Sequence, residues 1–151
     1  MRTLVVLTIL LPAVIFCRTY TVFYFDQSLS PIAVNVRYER DDVLNFLFEK
    51  LSQPEAGALT FVPKNLLRAY FFVEKSLVID LRSSAVAGLN FQEERYLIHQ
   101  LLRTIFENFK AIDSVYFVVD GKRRERLLNY VDIRYGFVRD IWSNWPIEGG
   151  S

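Results

Sequence analysis

Catalysis needs groups that move protons, hold metals or attack, and few of these stand together in this 151-residue chain. There is one histidine, His99, and one cysteine, Cys17. Helical spacing puts His99 on a polar face with Arg95 and Arg103 four residues to either side. Two flanking cations disfavour its protonated form, and a general base also needs an orienting partner and a nucleophile or water in reach. His99 therefore reads as a solvated surface residue. A lone cysteine excludes an intramolecular disulfide, and a structural zinc site takes about four Cys, His or acidic ligands. No metal and no cofactor is expected. The sequence contains no Gly-x-Ser-x-Gly, His-Glu-x-x-His or phosphate-loop pattern.

The carboxylates are more numerous but not better arranged. Asp80 lies inside an apolar run, so if it turns inward it needs a hydrogen-bond partner. The Ser83 and Ser84 hydroxyls, or turn N–H groups, could serve, which makes Asp80 a structural tie. Asp41-Asp42 and Glu93-Glu94 are adjacent pairs at helix starts. Sequence neighbours do not share a helix face, and acids there complement the helix dipole. The enzymatic alternative is a small hydrolase using Asp80 and Glu93. For a glycan substrate it requires two carboxylates about 5–9.5 Å apart in an open cleft.

Two other groups are candidates for binding. Lys122, Arg123, Arg124 and Arg126 put four cations in five residues, just after a tight turn. They form either a charged edge that opposes strand aggregation or a contact for an anionic polymer, lipid headgroup or acidic partner. Trp142 and Trp145 form either a late clamp over the core or an exposed recognition surface.

The elements that must position these residues follow from composition and periodicity. Apolar residues make up 52% of the chain, enough for a sizeable core, and the length fits one domain. The net charge of +1 argues against a nucleic-acid partner. Met1-Arg2 precedes a run, Leu4 to Phe16, that is apolar except for Thr8 and Pro12. As a helix it spans ~20 Å, short of a hydrocarbon core of ~30 Å. Residues 1–19 thus read as a signal peptide or N-terminal anchor, cleaved after Cys17 or Thr19, with lipidation of Cys17 as the alternative. The membrane is touched only through this segment. Residues 20–145 form the single domain, and 146–151 a flexible tail.

Tyr20–Phe25 is aromatic and β-branched and reads as a strand buried on both faces. Ile32–Tyr38 alternates as a half-buried strand. Asp41 and Asp42 open a helix with Val43, Leu44, Leu47, Phe48 and Leu51 as its apolar stripe. Leu66–Val73 and Leu77–Leu81 form a hairpin around Glu74-Lys75-Ser76, and Ser83–Asn90 is a loop. Asn90 caps a long helix to about Phe109, with Glu93 completing a capping box. Its apolar face is Leu97, Ile98, Leu101, Leu102, Ile105 and Phe109. Ser114–Val119 is a strand ending in the turn Asp120-Gly121. The expected fold is α+β: a mainly antiparallel sheet with both helices on one face, in the order β-β-α-β-β-α-β, then an irregular C-terminal tail.

This order of motifs resembles the GerMN (sporulation and spore germination) domain, from about Tyr20 to about Phe137. Val22-Phe-Tyr-Phe25 looks like the family's opening strand, and Pro54, Gly57 and Pro63 like its loop after the first helix. Val78-Ile-Asp-Leu81 with Ser83-Ser84, Leu102-Arg-Thr-Ile105, Val118-Val-Asp-Gly-Lys122 and Val131-Asp-Ile133 follow in the family's order. Where the family often has Asp-Gly in the middle hairpin, this chain has Glu74-Lys75-Ser76. Left-handed backbone there would cost about 1 kcal/mol. The resemblance implies a non-enzymatic, extracytoplasmic bacterial protein related in fold to ring-building modules. Its expected partner is an envelope protein or cell-wall polymer, with self-association also open.

Overall fold

The computed structural model describes residues 17–142. The expected signal segment up to residue 16, Trp145 and the expected tail lie outside them. Strand β1 (Arg18–Phe25) pairs antiparallel with β2 (Pro31–Tyr38), in register from Arg18↔Tyr38 to Phe25↔Pro31. The Asp26 carboxylate closes their turn by accepting from the N–H groups of Ser28 and Ser30 at 2.8 and 2.9 Å. Only the C-terminal part of β1 is deeply buried, at Val22, Tyr24 and Phe25.

Helix α1 (Val43–Leu51) starts at Asp42, whose side chain accepts from Asn45 N–H at 3.3 Å. It buries Leu44, Phe46, Leu47, Phe48 and Leu51. Strands β3 (Leu67–Val73) and β4 (Ser76–Leu81) form the expected hairpin. Glu74 takes the left-handed conformation in its turn, with φ 53°. The stretch expected as a loop contains a short helix, α2 (Ser83–Val86), before α3 (Phe91–Asn108). Both halves of the α3 capping box are formed: Asn90 accepts from Glu93 N–H, and Glu93 accepts from Asn90 N–H at 2.8 Å. Strand β5 (Ser114–Val119) follows, and the stretch expected to be irregular holds β6 (Phe137–Val138) and α4 (Arg139–Trp142).

The fold is α+β, but the strands divide between two sheets: β1-β2 alone, and β3-β4-β5-β6. Pairing is antiparallel except for β4 with β5. A parallel pair needs a long crossover, and α2 and α3 supply it. One face of the larger sheet points Leu77, Ile79, Leu81, Val115, Phe117 and Val119 into a core shared with α1 and α3. Each such side chain contributes on the order of 1.5–3 kcal/mol of burial.

The polar positions of α3 are the main departure from expectation. His99, expected in solvent, is buried, as are Glu94, Gln100 and Thr104. The helix is enclosed on more than its apolar face. Gln100, Thr104 and Asn108, spaced four apart, lie along the free edge of β1. Gln100 Nε2 donates to Phe23 O at 2.8 Å, and Phe23 N–H donates to Thr104 Oγ1 at 3.2 Å. Asn108 accepts from Thr21 N–H at 2.8 Å and donates to Thr21 O at 2.6 Å. These side chains take the place of a third strand. At the other end, the Arg139 guanidinium donates to the carbonyls of Phe106, Phe109 and Ile112 at 2.7, 2.6 and 2.9 Å. A cation there suits the negative helix terminus.

Candidate functional site

The carboxylates are held by structural bonds. Asp80 is buried, pairs with the Arg68 guanidinium, and accepts from Gly121 N–H at 2.9 Å. A turn N–H thus serves it, as expected, while Arg68 is a partner that the apolar run around it did not indicate. Glu93 is engaged in the capping box. Glu94 is fully buried and accepts from three consecutive N–H groups, Asn129, Tyr130 and Val131, at 3.1, 3.2 and 2.9 Å. It pins the loop 125–133 to α3 rather than only complementing a helix dipole. Among the described residues no group of three His, Cys, Asp or Glu side chains is placed to hold a metal ion.

The basic segment forms the base of that pinned loop. In the Asp120-Gly121 turn both residues have positive φ, 51° and 72°, and Val119 and Lys122 exchange backbone bonds of 2.9 and 3.0 Å. Lys122, Arg123, Arg124 and Arg126 are all exposed. Arg124 reaches Asp120 at 3.3 Å, Arg123 donates to Arg134 O at 3.2 Å, and Arg126 donates to Asn129 O at 2.9 Å. Arg134 joins them and bonds Asp132 at 2.5 Å. Hydrogen bonds from Arg134 hold the Asp132 carboxyl down to about 2, and the Ser83 hydroxyl and N–H lower that of Asp120. Arg123, Arg124, Glu125, Arg134 and Tyr135 line an open cleft of about 310 Å³. Trp142 is half-buried and meets Phe137 edge-on, with ring centroids 5.0 Å apart. With Phe91, Arg95, Ile98 and Val131 it lines a smaller cleft of about 160 Å³. Cys17 is exposed.

A surface that the candidate residues did not include lies on the larger sheet. Its registers put Phe71, Val78 and Tyr116 in one row and Val73, Ser76, Ser114 and Val138 in the next, all on the face away from the helices. Phe71 is 59% exposed, Val73 55%, Val138 42% and Tyr116 39%. Sheets with one face in water normally alternate apolar inside and polar outside. In β3 the inward positions Tyr70 and Phe72 and the outward positions Phe71 and Val73 are all apolar or aromatic. That unbroken run, Tyr70-Phe-Phe-Val73, was the available signal. β3 is also the end strand of its sheet. The hairpin loop is the two residues Glu74 and Lys75, so Val73 and Ser76 exchange their backbone bonds and alternation turns the N–H and C=O groups of Tyr70 and Phe72 outward. No bond from the described residues reaches those outward groups.

Solved structures share this fold. The first GerMN domain of the sporulation protein GerM from Bacillus subtilis superposes with a TM-score of 0.69 at 12% identity, covering 82% of this chain and 99% of that one. A Clostridium perfringens protein assigned as a lipoprotein gives 0.55 at 17% identity, covering 82% and 89%. The tandem GerMN domains of GerM give 0.55 at 20% identity, covering 70% of this chain and 40% of the tandem. At these identities the likeness is one of fold. No curated protein matches the sequence. The family described as Germane, sporulation and spore germination, matches residues 21–125, more than half of the chain, and the protein belongs to that family.

Proposed function

We propose that this protein is an exported, non-catalytic module of a bacterial cell envelope that binds a protein partner through the bare face and open edge of its four-stranded sheet. The observation that carries the reading is the apolar outer face around Phe71, Val73, Tyr116 and Val138. Exposed apolar surface that is contiguous, rather than scattered, marks an interaction site. The basic-then-apolar N-terminal run supports export, as does the relation in fold to a protein assigned as a lipoprotein. Among the described residues no helix is long and apolar enough to cross a membrane. The hydrolase alternative loses support because Asp80 is sealed by Arg68 and Gly121, and Glu93 is spent on its helix cap.

The arginine cleft favours a second reading, contact with an anionic envelope polymer. Exchanging Arg123 and Arg124 for Glu should then weaken binding to anionic cell-wall polymer without unfolding the chain, and wild-type binding should fall as salt rises.

Photo-crosslinking tests the main reading. p-Benzoylphenylalanine replaces Phe71 in the full chain, expressed in bacterial cells, and Arg37 on β2 as the control. Adducts in the envelope fraction from position 71 and not from position 37 are expected. Equal labelling, or none at position 71, would contradict it.

A further inference from the structure

We infer that the partner at the open edge is a second copy of this chain, joined through antiparallel pairing of β3 with β3 about a twofold axis at Phe71. The inference rests on the proposed binding role of the bare sheet and names the occupant. Three observations lead to it.

The first is the bonding pattern. The outward N–H and C=O groups belong to Tyr70 and Phe72. An antiparallel pair centred on Phe71 sets Tyr70 opposite Phe72 of the other copy, so those groups meet in two reciprocal hydrogen-bonded pairs. Phe71 then faces Phe71 in a non-hydrogen-bonded pair, where side chains approach most closely. A centre lying between two residues would set outward-bonded residues opposite inward-bonded ones and leave the outward groups unmatched, and among the residue-centred registers side-chain matching selects Phe71.

The second is side-chain complementarity in that same register. Both faces match aromatic or apolar groups: Phe71 with Phe71 and Val73 with Ala69 outside, Tyr70 with Phe72 on the helix side. The apolar segment is flanked in sequence by Arg68 and Glu74, opposite in sign, and antiparallel pairing runs the Arg68 end of one copy alongside the Glu74 end of the other. Arg68 pairs with Asp80 within the chain yet keeps 45% of its side chain exposed.

The third is the lack of edge protection. Edge strands are usually blunted by charge, proline, a bulge or a covering element. Residues 69–73 contain no charge and no proline. The one register shift in β3 lies between Leu67 and Ala69, at the strand's start and away from the proposed axis. Phe72, on the inward side, is still 49% exposed because no neighbouring strand covers it. Pairing β3 with β3 would make one continuous eight-stranded sheet from the two four-stranded ones.

Disulfide trapping in the full chain tests this. In a Cys17→Ser background, Phe71→Cys is compared with Tyr116→Cys in bacterial envelopes under mild oxidation. Non-hydrogen-bonded partners have Cα atoms about 4.5 Å apart, within disulfide reach. The two copies of residue 116 would be five strand spacings apart, about 24 Å. The expected result is a disulfide dimer from Phe71→Cys, at twice the monomer mass, and none from Tyr116→Cys. Phe71→Glu and Phe71→Lys should each be monomeric by sedimentation in mild detergent, and an equal mixture should recover a mixed dimer, since like charges repel and unlike charges attract across a strand pair. Circular dichroism melts check that each variant is folded.

Equal trapping at positions 71 and 116, a Phe71→Glu chain that stays dimeric, or absence of the Phe71→Cys dimer would overturn the inference. The photo-crosslink at position 71 separates the two claims. An adduct with a different protein, with no disulfide dimer, rejects the second copy and keeps the binding role. An adduct within one chain shows that the edge is covered by another part of the same chain and rejects both.

Discussion

Two strand edges in this molecule are finished in opposite ways. The edge of β1 is closed by α3, whose Gln100, Thr104 and Asn108 bond Phe23 and Thr21 in the positions a neighbouring strand would use. The edge of β3 carries Tyr70, Phe71, Phe72 and Val73 with its outward backbone groups unmet by the described residues. Polar side chains are costly to bury unless bonded, so the triad on α3 is stable only because β1 runs beside it. The first edge is thus part of the folding core, whereas the second leaves apolar area and backbone bonds for association.

The largest expected effect is at the closed edge. Gln100→Ala removes the acceptor for Phe61 N–H and the donor to Phe23 O, both part-buried. It should cost about 2–4 kcal/mol in urea unfolding, through groups left unsatisfied. A cost below about 1 kcal/mol would mean that water replaces the side chain and that the edge is not closed.

Asp42 links helix α1 to the open-edge strand and should have a smaller effect. It caps α1 and accepts from Tyr70 Oη at 2.9 Å. Burial and the bond to Asp42 raise the Tyr70 phenol, and bonds to Asn45 lead in lowering the Asp42 carboxyl. Asp42→Ala should cost about 1 kcal/mol at neutral pH and return the Tyr70 titration toward its ordinary value. Because the folded carboxyl is depressed, its contribution is present above the unfolded value and is lost as pH falls through the folded one. Wild type and variant should therefore converge in acid. A stability difference that persists undiminished below the folded value would contradict this role.

Glu74 supplies the next test. Its positive φ is strained for a residue with Cβ, so Glu74→Gly should raise stability by up to about 1 kcal/mol while weakening any pairing that uses the Glu74 carboxylate. An unchanged or lower melting temperature would show that the turn is not strained. The smallest effect is expected at the open edge itself: Phe71→Lys should change unfolding stability of the separated chain by no more than about 0.5 kcal/mol. A larger loss would place Phe71 in the core and remove the contrast between the edges.

What was legible in the sequence was mostly local. The Asn90–Glu93 capping box, the Asp120-Gly121 turn and the need of Asp80 for a partner each depend on residues a few positions apart or on one charge in an apolar run. The α+β class followed from segment periodicity. The division into two sheets did not, because strand pairing across β4 and β5 joins residues separated by the whole α2–α3 crossover. His99, Gln100 and Thr104 look solvent-facing by polarity, yet the groups that would bond water bond a strand edge or lie buried instead. Glu94 was legible as a first-turn acid but not as the anchor of a loop, because its partners there are backbone N–H groups with no side-chain signature. The cations Lys122 to Arg126 were visible by type, but the carbonyls of Asn129 and Arg134 that hold two of them were not.

Amide hydrogen exchange on the Phe71→Lys chain, which separates any paired edges, tests the contrast most directly. The amides of Thr21 and Phe23, bonded to Asn108 and Thr104, should exchange slowly, near the rate of global unfolding. Those of Tyr70 and Phe72 should exchange fast in the same sample, even though the amides of the substituted position and of Val73 on the same strand are protected by β4. Comparable protection of all four amides, or fast exchange at Thr21 and Phe23, would contradict the assignment of one closed and one open edge.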